Sequence, residues 1–374
     1  MVAERTDTRV HVAIVGASLS GLMSALALAR AGSRVTVLER TGSAPRSGAA
    51  LAVDGPQLRA VLGDDIAGPI LSAIAPSDEQ WDKGLPVTWE MLHRALHHGA
   101  ADHPLINVRY DSRVESVGQD HDRAWVTMRG HPTVVADAVV GADGHRSLVR
   151  RSVAPERPDA RFAGYVLWLG ITDERSLELD TSWPTSLDIC SGGAHYLLGY
   201  PLPDNDGTRT PGHRRLGWAW YDATRNELFR RLGSVRGNVV HHTLRPHDIP
   251  PGTYEDLASE IRRTWPSPWR EAMLASVARR DVTATPIAEY VPSRMVSGRL
   301  ALVGDAAHVP TPMTGRGFAA SLDDAGALAK ALEPGIRGGV PVSAALLTYE
   351  QRSLHAAQRL VESGKSFSRS FALN

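Results

Sequence analysis

The most constraining stretch of this chain is residues 9–40, RVHVAIVGASLSGLMSALALARAGSRVTVLER. One apolar run ends at Gly16, Leu22, Ala25, Leu26 and Ala29 follow at helical spacing, and a second run, RVTVLE, ends on Glu39. This pattern predicts a strand, a glycine turn, a helix and a second strand. Glycine lets the backbone turn tightly and approach a pyrophosphate, and the helix N-terminus offers free N–H groups and partial positive charge. An acid closing the second strand accepts hydrogen bonds from a ribose. The stretch therefore predicts a dinucleotide site, with an ordinary βαβ unit as the alternative. The fingerprint G-x-G-x-x-G is incomplete, because Gly16-Ala17-Ser18-Leu19-Ser20-Gly21 has serine in the middle. Ser18 narrows the space but keeps its N–H, and its hydroxyl can itself bond a phosphate.

A chain of 374 residues suffices for a large core and two lobes. Its 41 basic and 41 acidic residues balance, which argues against nucleic acid or a membrane surface as partner. The single cysteine, Cys190, excludes an internal disulfide and suits a reducing compartment. Neither an apolar leader nor a membrane-length run is visible. The expectation is a soluble cytoplasmic protein.

After Glu39 and Arg40, glycines 42, 48 and 55 with Pro45 predict a loop and then a short strand. Arg46 in that loop is placed either to face a phosphate or to stay solvated. Residues 57–74 read as helical with a break at Gly68-Pro69. VTWEMLHRALHHG reads as an amphipathic helix with Val87, Met91, Leu92, Ala95 and Leu96 as its apolar stripe. Trp89 and His93 share a face of it in a core or lid role. Residues 107–117, 124–128 and 133–140 are predicted strands. The last meets Gly141-Ala142-Asp143-Gly144, with a short helix from Ser147. An aspartate at a strand end is placed to meet a ribose or phosphate, and Arg146, Arg150 and Arg151 add positive charge; a tight D-G turn is the plainer alternative.

From 161 to 281 short strands alternate with turns, as in FAGYVLWLGI, HYLLGYPLP and RRLGWAWYDA. Alternation puts Leu216, Trp218 and Trp220 on one face and Gly217, Ala219 and Tyr221 on the other; His195, Leu197 and Gly199 likewise share a face. The prediction is a mostly antiparallel sheet roofing a pocket, whose aromatic face suits a flat ligand or packs on helices. Residues 254–279 read as helix broken at Pro266 and Pro268. The strand RLALVG then ends at Gly304-Asp305, repeating the logic of Asp143, and a proline loop over 309–315 leads to a helix from Gly317 to Leu332. The glycines at 315 and 317 let backbone N–H groups at that helix start point at a ligand; a proline turn feeding an ordinary helix is the alternative. A long polar helix, 342–368, closes the chain. The adjacent pairs His97-His98 and His241-His242 lack metal-ligand spacing, and no metal site is expected.

Taken together, GASLSG with Glu39, GADGHRS, and GDAAHVPTPMTGRG resemble the single-component FAD-dependent aromatic hydroxylases, the family of p-hydroxybenzoate hydroxylase. VTWEMLHRAL, HYLLGYPLP and RRLGWAWYDA look most like the 2,6-dihydroxypyridine-hydroxylase-like branch. The resemblance implies an α/β fold: a Rossmann-like FAD-binding domain over 1–160 and 282–374, an inserted antiparallel substrate domain over 161–281, and C-terminal helices. Parts of 45–105 would line the substrate pocket. It implies FAD contacts from Gly16, Ser18, Leu19, Ser20 and Gly21 at the pyrophosphate and from Glu39 at the adenosine ribose. Asp143 and Gly144 belong to a motif tied to both FAD and the nicotinamide cofactor, and Asp305, beside Gly304, would hold the ribityl or pyrophosphate part. Gly317, Phe318 and Ala319, after Pro312 and Gly315, would face the flavin pyrimidine edge. Arg40, Arg46 and Val114 complete the cofactor set. NADPH or NADH would dock transiently as reductant, and O2 would react through a C4a-hydroperoxyflavin that hydroxylates a small aromatic or heteroaromatic substrate. His195, Tyr196 and His308 are candidate bases. His195, Leu197, Trp218, Trp220, Pro310 and Thr311 are candidate substrate contacts. The protein is expected to be a monomer or homodimer. Two alternatives stand beside this reading: an FAD enzyme oxidising a polycyclic or non-aromatic metabolite by epoxidation or Baeyer–Villiger insertion, and a non-catalytic flavin-binding protein. Ser18, Ala319 in place of a common asparagine, and Trp89 in place of a common arginine are the departures from the family pattern.

Overall fold

The computed structural model describes residues 9–42, 50–74, 85–179, 182–192 and 195–372. Arg46 lies outside them. The chain opens with β1 (His11–Val15), α1 (Leu19–Arg30) and β2 (Arg34–Leu38). It continues through β3 (Ala50–Val53), α2 (Gly55–Leu62), α3 (Asp64–Ile74), β4 (Leu85–Thr88), α4 (Trp89–Ala101) and β5 (Ile106–Arg109). Next come β6 (Val114–Gln119), β7 (Ala124–Met128), β8 (His131–Ala136), β9 (Ala138–Gly141) and α5 (Leu148–Val153). β1 pairs in parallel with β2 and β9, the geometry that needs a helical crossover and buries strands on both faces. That is why VAIV is apolar, and every residue of β1, His11 included, is buried.

Three boundaries differ from the sequence reading. The helical break falls at Gly63, between α2 and α3, and Pro69 rides inside α3. Pro69 is on the solvent side, so the carbonyl deprived of its N–H partner stays open to water. The strand expected over 107–117 is two, β5 in the parallel sheet and β6 in a three-stranded sheet, β6-β7-β8, with Asp111 in the left-handed region (φ 54°) between them. The run 133–140 divides at Asp137, whose carboxylate accepts the His11 N–H at 2.8 Å and sends β8 and β9 to different sheets.

The second large sheet is built from β10 (Arg161–Asp173), β11 (Asp188–Ser191), β12 (His195–Leu202), β13 (Arg215–Asp222), β14 (Val235–Arg236), β15 (Val239–Val240) and β16 (Thr283–Glu289). Its order is β11-β12-β13-β10-β15-β14, with β16 also on β10, and every pair is antiparallel. Between them lie α6 (Asn226–Arg231), α7 (Pro251–Thr264) and α8 (Trp269–Ala278). The chain then returns through β17 (Val296–Ser297) and β18 (Leu300–Leu302), which complete the first sheet as β17-β18-β9-β1-β2-β5. It ends in α9 (Gly317–Ile336) and α10 (Val342–Ala372).

The second sheet has two unlike faces. Trp168, Leu197, Leu216, Trp218 and Trp220 pack with Leu257, Ile261, Trp265, Trp269 and Met273 of α7 and α8 into one core. The opposite face, Tyr165, Leu167, Ala219, Tyr221 and Ile287, packs with Phe371 at the end of α10. Burying one tryptophan, roughly 200 Å², is worth up to about 5 kcal/mol at ~25 cal/mol per Å². The tryptophan face therefore belongs to the interior, which corrects its reading as a ligand wall.

Candidate active site

The turn after β1 needs glycine at both ends. Gly16 has φ +105°, and a Cβ there would lie 2.5 Å from the Ala142 carbonyl oxygen at the end of β9. A Cβ on Gly21 would lie 2.0 Å from the Gly16 oxygen. Ser18 is exposed at the N-cap of α1, yet its hydroxyl caps nothing, so it faces outward from an uncapped helix start. Leu19 is buried, and Ser20 lies against Gly304. Glu39 is also buried; its carboxylate accepts the Ala17 N–H at 3.0 Å, the Thr41 N–H at 3.0 Å and the Thr41 hydroxyl at 2.8 Å. At the carbonyl of the same residue, His93 Nε2 donates to the Ala17 oxygen at 2.9 Å, its ring stacked on Trp89 at 4.5 Å. The i, i+4 spacing of Trp89 and His93 was legible in the sequence; their grip on the phosphate loop was not. Arg40 is exposed beside this loop, and Val114 is half-buried against the main core.

Asp143 is used internally. Its carboxylate accepts the Leu148 N–H at 2.6 Å, the Val149 N–H at 3.3 Å and the Ser147 hydroxyl at 2.5 Å, fixing the start of α5. Burial pushes its pKa up against these bonds. What this turn offers outward is backbone at Gly144, where a Cβ would meet nothing within 4 Å. Arg150, read from the sequence as added positive charge, is fully buried. It donates to the carbonyls of Pro158 (2.8 Å), Asp305 (3.3 Å), Ala306 (3.1 Å) and His145, with its guanidinium 4.2 Å over the Tyr290 ring. It thus braces the second glycine motif to the third.

Asp305, just after β18, is exposed to solvent. The surrounding protein raises its pKa, and His308 and Arg150 oppose the rise. His308 is 2% exposed, and its Nε2 meets Asp324 Oδ2 at 2.8 Å, the oxygen that also accepts the Gly304 N–H at 2.8 Å. Burial pushes the His308 pKa down, but the Asp324 carboxylate more than offsets this and the net shift is upward. His308 therefore holds the turn at Asp305 and is not presented to a substrate, a correction to its candidacy as base. Pro310 and Thr311 are buried too; the Thr311 hydroxyl bonds that of Tyr165 at 2.5 Å. Pro312 and Gly315 are exposed, Gly315 in the left-handed region (φ +61°). No side chain caps α9, so its first N–H groups, at Gly317, Phe318 and Ala319, head the helix uncapped. A Cβ on Gly304 would meet Ser20 Cβ at 2.7 Å and Ser321 Oγ at 3.1 Å, so the first turns of α1 and α9 converge there. Two uncapped helix N-termini, an outward hydroxyl, and an open glycine turn suit a large anionic cofactor such as FAD.

The structure separates the sheet residues. His195 is buried on the helix-packed face; Trp220 Nε1 donates to its Nδ1 at 3.1 Å, so its proton sits on Nε2, 3.0 Å from Glu260. His195, Leu197, Trp218 and Trp220 are thus core residues rather than pocket residues. Tyr196 is on the opposite face, its ring 5.8 Å from Phe367 and 5.5 Å from Phe371. Tyr165, Tyr200 and Tyr221 share that face and were missed. Their signal was the alternation of small and phenolic residues in Gly217, Ala219 and Tyr221.

These features define a flavoprotein, and the comparison with known families agrees. Residues 9–56, 77–187 and 208–364 match the family described as FAD binding domain, and the chain belongs to that family. Among curated proteins, it is 28% identical over 344 residues to 2,6-dihydroxypyridine 3-monooxygenase of Paenarthrobacter nicotinovorans, spanning 87% of this chain and 83% of that one. It is 25% identical over 366 residues to 3-amino-4-hydroxybenzoate 2-monooxygenase of Streptomyces cremeus, spanning 90% and 82%. The solved 2,6-dihydroxypyridine-3-hydroxylase from Arthrobacter nicotinovorans superposes with TM-score 0.75 at 25% identity, covering 98% of this chain and 93% of that one. The fold is of the p-hydroxybenzoate hydroxylase type, the cofactor is FAD, and the protein is an FAD-dependent monooxygenase of a class that typically uses NAD(P)H and O2. Among the described residues, no helix is long and apolar enough to cross a membrane.

Proposed function

We propose that this protein hydroxylates a small, electron-rich aromatic or heteroaromatic ring held between the first turn of α9 and the tyrosine-bearing face of the second sheet. The observation that carries this reading is that face itself: Leu167, Leu169, Leu198 and Ala219 give an apolar wall, and Met313, four residues before the start of α9, packs with it. FAD, when bound, supplies the electron and oxygen chemistry. The chain's residues do the rest. The backbone of Gly16, Ser18, Leu19, Ser20 and Gly21, with the Ser18 hydroxyl, would receive the pyrophosphate; Glu39 and Arg40 would flank the ribose end. Gly144, Gly304 and Asp305 would border the middle of the cofactor. The N–H groups of Gly317, Phe318 and Ala319 would hold negative charge at the pyrimidine edge, worth about 0.3–2 kcal/mol depending on exposure. The leucine wall excludes water that would divert the oxygen chemistry. With His195 and His308 both committed to carboxylates, ring activation falls to the substrate's own hydroxyl groups. We also read the chain as two units, 1–160 with 282–374 and 161–281, in the cytoplasm.

The test is a screen of phenols and hydroxypyridines on the FAD-loaded protein. The expected result is NADH or NADPH oxidation accelerated by a ring compound, with a product heavier by one oxygen atom. A yellow protein that no ring accelerates would refute the hydroxylase reading.

A further inference from the structure

α4 carries a column of rings against the first glycine turn. Trp89, His93 and His97 recur at i, i+4 spacing; Trp89 stacks on His93 at 4.5 Å and 13°, and His93 on His97 at 6.4 Å and 19°. Thr88 caps the helix by accepting the Met91 N–H, which fixes where the column starts. The column meets the turn at Ala17, one residue before the uncapped start of α1, where His93 Nε2 lies 2.9 Å from the carbonyl oxygen. A carbonyl only accepts, so Nε2 carries the proton and Nδ1 is the atom that titrates. His93 is half-buried, so a second proton can come from solvent.

The groups around His93 decide which charge state the site favours. On α4, His97 stays neutral: burial first, then His93 and His98, lowers its pKa, and the Tyr110 hydroxyl bonds its Nε2. Tyr110 stays protonated, because burial and then Glu39 push its pKa up. Glu90 is taken by Arg94 on the exposed side of the helix. Glu39, which accepts the Ala17 N–H at 3.0 Å, is an anion on the same loop residue, and Arg40 beside it is a cation. Of the elements packed against α4, β4 has no ionisable side chain and α1 has none before Arg30 at its far end. α3 has Asp64, paired with Arg59, and Asp65; β5 has Arg109.

Without a cofactor, the positive end of α1 disfavours a second proton on His93. A pyrophosphate docked on α1 reverses that sign, because two negative charges then lie within a few residues of the ring. The indole stacked on His93 offers its π face to an imidazolium. The extra proton leaves the bond to Ala17 intact, since Nε2 donates in both states, and makes it charge-assisted.

Resting on the pyrophosphate placement given above and not on ring hydroxylation, we propose that His93 is a positioning residue for the FAD phosphates: it holds the Ala17 peptide and takes up a proton from solvent when the cofactor docks. Because the FAD-bound form holds that proton more tightly, FAD affinity rises as pH falls through the neutral range. It levels off once the FAD-free form is protonated too.

The test is calorimetric titration of the FAD-free full chain with FAD, in buffers of different ionisation heat. Wild type is expected to take up part of a proton per FAD at pH 7. For a proton held about tenfold more tightly, its Kd is expected to fall about fivefold from pH 8.5 to pH 6. His93→Gln keeps a donor for the Ala17 carbonyl but cannot titrate. It is expected to bind FAD nearly as tightly as wild type at pH 8.5, with most of the proton uptake and most of the gain at pH 6 lost. The difference between the two proteins isolates His93 from His308 and Asp305, which titrate elsewhere along the same cofactor. Isotope-labelled wild type gives a reading free of substitution: the His93 imidazole signals are expected to titrate at higher pH with FAD bound. Unchanged proton uptake in His93→Gln, or an imidazole midpoint that FAD leaves unmoved, would overturn this inference alone. Gly21→Ala tests the placement beneath it: FAD affinity indifferent to that methyl group would remove the pyrophosphate from this turn, and the role of His93 with it.

Discussion

Replacing Arg150 with methionine removes the brace between the second and third glycine motifs while keeping an unbranched apolar side chain. The guanidinium is fully buried and donates to the carbonyls of Pro158, His145, Asp305 and Ala306. A buried polar group stripped of its partner costs roughly 1–3 kcal/mol, and methionine returns part of this by burying its own surface. A net loss of about 4 kcal/mol is the reasonable scale for breaking a buried network. With an unfolding entropy of about 2.1 cal/mol/K per residue, 374 residues convert that into a fall of roughly 5 °C in Tm. The loss is not only global. Asp305 and Ala306 belong to the turn on which the first turns of α1 and α9 converge, so FAD affinity is expected to drop at least tenfold as well. The assays are thermal melting of the FAD-free protein and FAD titration by flavin fluorescence. Arg150→Lys keeps the charge but has fewer donors, and is expected to fall between the two. A methionine variant melting within about 1 °C of wild type, with unchanged FAD affinity, would refute the brace.

Other outcomes follow from the same geometry. Gly21→Ala puts a methyl group 2.0 Å from the Gly16 oxygen, and is expected to yield a folded protein with little bound FAD, seen in its absorbance ratio. Deleting residues 367–374 removes Phe367 and Phe371 from the tyrosine-bearing face of the second sheet; the expected result is NAD(P)H consumption that outruns product formation, measured by comparing the two. The pH dependence has two arms. His308 has a folded pKa above its ordinary 6.5, so its stabilisation is full below 6.5 and is lost as pH rises through the raised value. Burial first, then Arg146, Arg150 and Arg40, lowers His145 to about 4, so its contribution is present above 6.5 and fades as pH falls toward 4. Melting temperature is therefore expected to peak near 6.5, and His308→Gln to flatten the alkaline limb; an unchanged limb in that variant would remove His308 as its cause.

The sequence made the first sheet legible because its demands are backbone demands. Gly16 and Gly21 admit no side chain, and the strands that end at Gly16, Gly141 and Gly304 are apolar because both faces are buried. Side-chain roles were harder to read. Asp143, Asp305 and His308 stand at strand ends where ligands bind, yet Asp143 spends its oxygens on α5 and His308 spends its ring on Asp324. Only the distances reveal which polar atoms are already satisfied. The second sheet shows the limit of periodicity. Alternation correctly grouped Leu216, Trp218 and Trp220 apart from Gly217, Ala219 and Tyr221, but both sets are apolar, and period two does not say which meets the helices. The large residues went to α7 and α8, and the small ones left room.

The convergence of α1 and α9 at Gly304 also bears on how the cofactor is captured. The molecule has formal net charge +0, so it offers no long-range pull on an anion. Its attraction is local, from two fixed dipole ends, whose influence fades within about a turn of helix, and from the exposed Arg40 beside the first of them. At physiological salt, charges are screened beyond about 8 Å, so FAD must arrive by unguided diffusion and meets the favourable field only on docking. Added salt should thus leave the rate of FAD capture nearly unchanged and act, modestly, on how fast it escapes.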